Sequence, residues 1–186
     1  MSCLSVAAAI EDLYLARWGE PARRAEFVRG NLMVEILKWD PATTGEGASV
    51  YATLGASTST TDRAGRHLVE FFLGLSPARD DVASALAGLA LYGAQNRTAL
   101  DHGHTVPSEQ PLWPGTTMHT FLVTRPLPDF LEPLLFPDRL HVEFLQAIPI
   151  FESERNYKAE HGVDALLARW ETAQVPFWDP DRTPHP

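Results

Sequence analysis

The sequence predicts an α+β fold, with a mixed or antiparallel sheet packed against helices in one domain. Three observations predict it. Runs rich in β-branched and aromatic residues recur at Leu32 to Trp39, Val50 to Leu54, Arg66 to Leu73, Met118 to Thr124 and Leu140 to Ile148. Apolar residues at helical spacing fill other stretches. Strands and helices do not alternate regularly and no internal repeat is present, which argues against a doubly wound parallel sheet. A chain of 186 residues suits one such domain. At that length about 70% of the unfolded surface is buried, so neither a disulfide nor a metal is needed to hold the fold.

Ala7, Ile10, Leu13, Tyr14 and Trp18 form a helical stripe, with Glu11, Asp12 and Arg17 off it, predicting a helix from about Leu4 to Trp18. Gly19-Glu20-Pro21 stops it. Ala22 to Gly30 is too charged to assign. Pro41 to Gly47 reads as a loop, and the Ser57 to Thr61 run as an exposed turn that offers, at most, phosphate ligands. Ser76-Pro77 predicts the start of the longest helix. Serine is a good N-cap, proline suits the first helical position, and Asp80 and Asp81 complement the positive end of the dipole. Val82, Leu86, Leu89 and Gly93 make its inner stripe, and it ends near Leu100, before Gly103. His104 to Pro107 and Trp113-Pro114-Gly115 read as loops and turns. Val163, Leu166, Leu167 and Trp170 mark a final amphipathic helix. The domain is expected over residues 1–175, with 176–186 a Pro-rich tail ordered only if Phe177 and Trp178 dock it.

Composition narrows the function classes. The net charge is −9, from 24 acidic and 15 basic residues. Such a field repels phosphate backbones and argues against nucleic-acid binding, while it speeds encounter with a basic partner. Cys3 is the only cysteine, so no intrachain disulfide forms, which suits a reducing, cytoplasmic setting. No run of about 18 apolar residues predicts a membrane span. The start of the chain lacks a basic flank, and Glu11 and Asp12 interrupt its apolar stretch too early for a secretory signal.

A search for catalytic patterns finds no Gly-rich phosphate loop, nucleophile elbow or paired-Cys metal box. His102 and His104, two residues apart and next to Asp101, have chelating spacing. Histidines near a helix end followed by a turn explain the same pattern without a metal. Glu35, Glu70 and Glu143 lie inside apolar strands. They suit acid–base chemistry if paired, and a solvated sheet face or a charge-protected edge if not, the second reading being preferred. His67, His119 and His141 also fall in strands. Trp113, Phe177 and Trp178 serve equally as core-covering anchors or as interface residues.

Three ordered blocks carry a family resemblance. They are Tyr51-Ala52-Thr53-Leu54-Gly55-Ala56-Ser57, then Gly103-His104-Thr105-Val106-Pro107 leading to Pro114-Gly115-Thr116, then Phe144-Leu145-Gln146-Ala147-Ile148-Pro149-Ile150 followed by His161-Gly162-Val163-Asp164-Ala165-Leu166-Leu167. In order and spacing the set resembles the Suppressor of fused domain, most clearly over residues 48–171. Each block also has a folding reading. Gly55 turns the chain at a strand end, the residue before Pro107 stays extended, and Asp164 suits a first helical turn.

The resemblance implies a protein-binding domain of the bacterial single-domain type, whose relatives act as immunity proteins that neutralise toxins. The expectation is therefore a non-enzymatic protein that covers the functional surface of a basic toxin, without cofactor, catalytic residues or metal. Glu35, Asp80, Asp81 and Glu143 are the acidic residues expected to meet the partner. The alternative is a small hydrolase or metal-dependent enzyme using His102, His104 and a carboxylate.

Overall fold

A tight turn at Gly30 and Asn31 folds Arg23–Arg29 (β1) back on Leu32–Trp39 (β2), with Arg29 opposite Leu32. Gly30 has φ +63°, the left-handed geometry that such a short hairpin connection requires. The stretch whose charge concealed its structure is thus a strand, and every residue of it except Phe27 is exposed. The computed structural model describes residues 3–58, 67–96 and 98–185. Ser59 to Thr61 of the predicted turn, Arg66 at the predicted strand start, and Arg97 lie outside the described residues.

The sheet continues through Ser49–Leu54 (β3) and His67–Leu75 (β4), each antiparallel to its neighbour. The last long strand, His141–Ile150 (β8), then enters parallel to β4, with His67 level with His141. On its far side it pairs antiparallel with Thr120–Thr124 (β6) and with the two-residue Leu134–Leu135 (β7). Thr105–Pro107 (β5), read from sequence as a loop, is a short strand at the outer edge of β6. The order β1-β2-β3-β4-β8-β6-β5 makes one mixed, eight-stranded sheet once β7 is included. β8 runs through Pro149, which lies level with Phe121, and on to Ile150.

Helices cover both faces. Val82–Asn96 (α3) lays Leu86 and Leu89 on Val69, Phe71 and Leu73 of β4 and Leu145 of β8. The opposite face carries Cys3–Trp18 (α1), whose Ile10, Tyr14 and Trp18 pack on Leu37, Trp39, Phe72 and Phe144. Tyr14 donates its hydroxyl to the Thr53 carbonyl at 3.1 Å, satisfying the one polar atom of that buried ring. On the same face, beside β6 and β8, lies Val163–Ala173 (α5). Its Leu166 and Trp170 meet Leu122, Ile148 and Ile150. Two further α-helices lie among the described residues: Pro41–Thr44 (α2), within a stretch read as loop, and Glu152–His161 (α4).

The longest sheet-covering helix after β4 starts at Val82, not at Pro77 as its capping residues suggested. The reason lies in Asp80, which is drawn away from a capping role. Its carboxylate accepts from Lys38 Nζ at 2.7 Å, Arg23 at 2.8 Å and the Tyr51 hydroxyl at 3.0 Å. The Arg79 N–H donates to that same hydroxyl at 3.1 Å, so residues 76–81 are held as a turn against the sheet. The helix also closes at Asn96, short of Leu100.

Candidate functional site

The β3–β4 pairing ends at Ala52 opposite Phe72. Beyond that point a side chain replaces the ladder. The Phe71 N–H donates to Thr53 Oγ1 at 2.8 Å, and Thr53 Oγ1 donates to Glu70 at 2.5 Å. Glu70 then accepts the backbone N–H groups of Gly55, Ala56 and Ser57 at 3.0, 3.2 and 2.9 Å. The logic of the first sequence block becomes visible here: Thr53, Gly55, Ala56 and Ser57 form a cradle around one carboxylate. Gly55 is required in it, because its φ is +108° and an added Cβ would stand 3.1 Å from the Met33 carbonyl oxygen.

Glu70 therefore corrects the reading of the strand glutamates as a solvated face, since it is fully buried. Its donors sit on a neighbouring strand end and turn, a separation that the strand pattern around Glu70 does not reveal. Burial pushes the Glu70 carboxyl above its ordinary value of 4.5, outweighing Thr53 and the turn N–H groups that pull it down. A raised folded-state value means that ionisation opposes folding. The contribution of Glu70 to stability is full below the unfolded value and is lost as pH rises through the folded one. Urea titrations from about pH 4.5 to neutrality are expected to show the parent losing stability relative to Glu70→Gln. Parallel curves for the two proteins would refute the assignment.

A second polar chain runs along the start of β8. His67 Nδ1 lies 2.6 Å from His141 Nε2, so one proton is shared across the pair. The other ring nitrogen of His67 faces Glu143 at 3.4 Å. Glu143 in turn accepts Arg125 Nε at 3.1 Å, and Arg125 reaches Asp101 at 2.9 Å. The Arg125 N–H donates to His102 Nδ1 at 3.1 Å, and the Asp101 N–H to His104 Nδ1 at 3.0 Å. The two histidines with chelating spacing thus each spend one nitrogen fastening backbone. Among the described residues no three His, Cys, Asp or Glu side chains form a group able to hold a metal ion.

The second and third sequence blocks meet at the same place. Gly103 has φ +85° and donates its N–H to the Val123 carbonyl at 2.8 Å, and a Cβ on it would stand 3.1 Å from Val163 Cγ1. His102 Nε2 lies 3.8 Å from Asp164. The glycine lets the chain leaving α3 pass flat against the start of α5.

The four acidic residues expected at the partner surface are spread over the molecule. Glu35 lies on the α1 side of the sheet, 3.8 Å from Arg24. Asp80 and Asp81 precede α3, Asp80 being tied to Lys38, Arg23 and Tyr51, while Asp81 is exposed with no ion pair among the described residues. Lys38 heads the causes that hold the Asp80 carboxyl below its ordinary value. Glu143 belongs to the chain just described.

The element that sequence reasoning missed most completely is an ion pair near the end of the chain. Arg182 lies against Glu154 at 2.5 and 2.8 Å, with side chains 2% and 0% exposed. Its guanidinium is stacked between the rings of Phe151 and Trp170, 4.9 and 5.3 Å from their centroids, and it donates to the Pro149 carbonyl at 3.0 Å. Glu154 also accepts the N–H of Phe151 at 2.9 Å and of His185 at 3.0 Å, which caps α4 and fastens the final residues. Residues 176–185 are therefore held by Arg182, by the Arg79–Asp181 ion pair at 2.7 Å and by the Ser76 N–H donating to the Trp178 carbonyl at 2.9 Å, with Phe177 stacked on Trp170 and Trp178 left 45% exposed. The Pro- and Asp-rich composition of that stretch carries no periodic signal of such an anchor.

Comparison with known proteins places these features in a family. The fold matches a SUFU (suppressor of fused protein) homolog from Neisseria gonorrhoeae with TM-score 0.76 and 19% identity, over 97% of each chain. It matches a chain of the Sufu–Fu complex with TM-score 0.68 and 15% identity, over 97% of this chain and 90% of that one. Drosophila Suppressor of Fused matches with TM-score 0.68 and 15% identity, 96% of this chain spanning 49% of that longer one. No curated protein matches by sequence. The sequence profile of the Suppressor of fused protein (SUFU) family covers residues 30–183, a span that takes in all three blocks, the Glu70 cradle and Arg182, and the chain belongs to that family.

Proposed function

We propose that this chain is a non-enzymatic binding protein of the immunity type, which neutralises a basic bacterial toxin by covering its functional surface. The observation that carries the reading is the fold match to a Suppressor of fused chain solved in a complex with Fu. Binding a protein is said of that relative, and the shared fold supports carrying the reading to this chain. The net charge of −9 supplies the chemistry of the partner, since it raises encounter rates with a positive surface and lowers them in salt. Nuclease toxins fit, because they must be basic to hold phosphates.

The surface offers anchors as well as charge. Leu127 and Leu135, in the stretch joining β6 to β8, are 80% and 82% exposed, with exposed Asp129 and Glu132 between them. Apolar anchors inside a charged rim are the usual anatomy of an interface. Asp80, committed to Lys38 and Arg23, is a poor place to probe steering by charge, whereas Glu132, inside that rim, and Asp81, exposed just before α3, are suitable. Coexpression with a basic nuclease-type toxin domain is expected to restore growth. In a salt series, Asp81→Lys/Glu132→Lys should slow association several-fold more than it speeds dissociation. A flat salt dependence would remove the steering argument, and turnover of a small-molecule substrate would remove the binding reading.

A further inference from the structure

The inference rests on the reading of this chain as a binder of a basic protein, and it names the part of that partner which is gripped. The stretch between β6 and β8 folds over a cavity of about 300 Å³. Leu131 and Phe144, 7% and 1% exposed, give it an apolar floor. Three prolines line it and fix the backbone around it, so the cavity is preformed. Leu127 also lines it and is 80% exposed, which leaves an apolar side chain at its mouth. The charged residues of the lining are Arg125, Glu143, Asp129 and Glu132. Arg125 and Glu143 are spent on each other at 3.1 Å, and Arg125 also reaches Asp101 at 2.9 Å. Asp129 and Glu132 are exposed, and neither makes a hydrogen bond or an ion pair among the described residues. The cavity therefore sets two uncommitted carboxylates beside an apolar floor.

The backbone at Asp129 argues that this acid serves something other than the fold. The Phe130 N–H donates to the Leu127 carbonyl at 3.3 Å, so residues 127–130 form a β-turn with Pro128 second and Asp129 third. Asp129 has φ +66°, as a type II turn requires of its third residue, where glycine or asparagine is usual. An aspartate in a turn ordinarily bonds nearby backbone, and among the described residues this one does not. We infer that the cavity takes an arginine side chain of the partner. Its stem lies on Leu131 and Phe144, its guanidinium faces Asp129 and Glu132, and an apolar neighbour of that arginine packs on Leu127. Arginine fits because its planar fork serves carboxylates while its stem accepts apolar contact, the combination that makes it a frequent interface anchor.

The test uses the full chain, isotope-labelled, and the dipeptide acetyl-Leu-Arg-amide. Saturable shifts in the millimolar range are expected for the amides of Asp129, Phe130, Leu131, Glu132 and Phe144. Acetyl-Leu-citrulline-amide has the same shape without the charge and should bind about fivefold more weakly. Asp129→Gly removes the carboxylate and suits φ +66°, so it should weaken the arginine dipeptide about fivefold with no fall in Tm. Absence of saturable shifts, equal binding of the two dipeptides, or an Asp129→Gly protein that binds as the parent does would overturn the inference. A lowered Tm would overturn it too, by showing that the acid serves the turn. Concentration-dependent shifts of the same amides without dipeptide would do so by showing that a second copy fills the cavity. The immunity reading fails separately. If coexpression restores growth and Asp129→Gly/Glu132→Gln still binds the toxin as the parent does, the cavity is not the grip and the immunity reading stands. If coexpression fails while the arginine dipeptide binds as described, the immunity reading falls and the cavity stands.

Discussion

Trp170→Ala is expected to destabilise the protein by about 3–5 kcal/mol, the usual cost of emptying a buried tryptophan site. Trp170 is 3% exposed and fills the space between Leu166, Val175 and the sheet residues Leu122, Ile148 and Ile150. Removing it also withdraws the stacking partner of Phe177 and one of the two rings that enclose the Arg182 guanidinium. Its indole Nε1 donates to the His185 carbonyl at 3.1 Å, and that bond is lost as well. For a chain of this size the expected change corresponds to a fall in Tm of roughly 10 °C. A melting temperature within a degree or two of the parent would show that α5 does not depend on this contact.

Arg182→Ala is expected to cost a similar amount, about 3–5 kcal/mol, for an electrostatic reason. Glu154, 0% exposed, would be left buried without the guanidinium that offsets it. The loss is readable as a lowered urea midpoint. Replacing both partners, as Arg182→Met/Glu154→Leu, should recover part of it, because a buried pair replaced by apolar groups is far less costly than a pair broken on one side. Recovery stays partial, since Glu154 also holds the N–H groups of Phe151 and His185. Trp170→Ala and Arg182→Ala should combine to less than their sum, because the two side chains touch. An Arg182→Ala protein as stable as the parent would refute the clamp.

What could be read from sequence follows the range of the interaction that fixes each element. β2 and α1 were legible because their own spacing of Val34 and Ile36, or of Ile10, Tyr14 and Trp18, records which side is buried. The resemblance was legible because three blocks keep order along the chain. β1 was not, since an edge strand exposed on both faces buries too little to leave an apolar alternation. The start of α3 was misplaced because Asp80 looks like a capping acid until Lys38, Arg23 and Tyr51 are brought to it from β1, β2 and β3. Glu70 and Arg182 were invisible for the same reason. Their partners lie 13 to 17 and 28 residues away in sequence, and no local pattern encodes such a meeting.

The place of β8 in the sheet has a consequence for how the protein is made. The strand lies between β4 and β6, yet it is the last long strand to be synthesised. While the chain emerges from the ribosome, β1 to β4 can pair in sequence and collect α1 and α3 on their two faces. β5 and β6 can pair with each other but have nothing to join. Until β8 is released, the nascent chain therefore presents two unpaired hydrogen-bonding edges, at β4 and at β6, both flanked by apolar side chains such as Phe71, Phe72 and Phe121. Such edges are where partly made chains associate wrongly. The ladder that closes them spans 74 residues between His67 and His141, so closure is a late, non-local step. Messages broken before the β8 codons yield chains lacking the seam of the sheet, which makes them substrates for holding chaperones and proteases instead of weakened versions of the native protein.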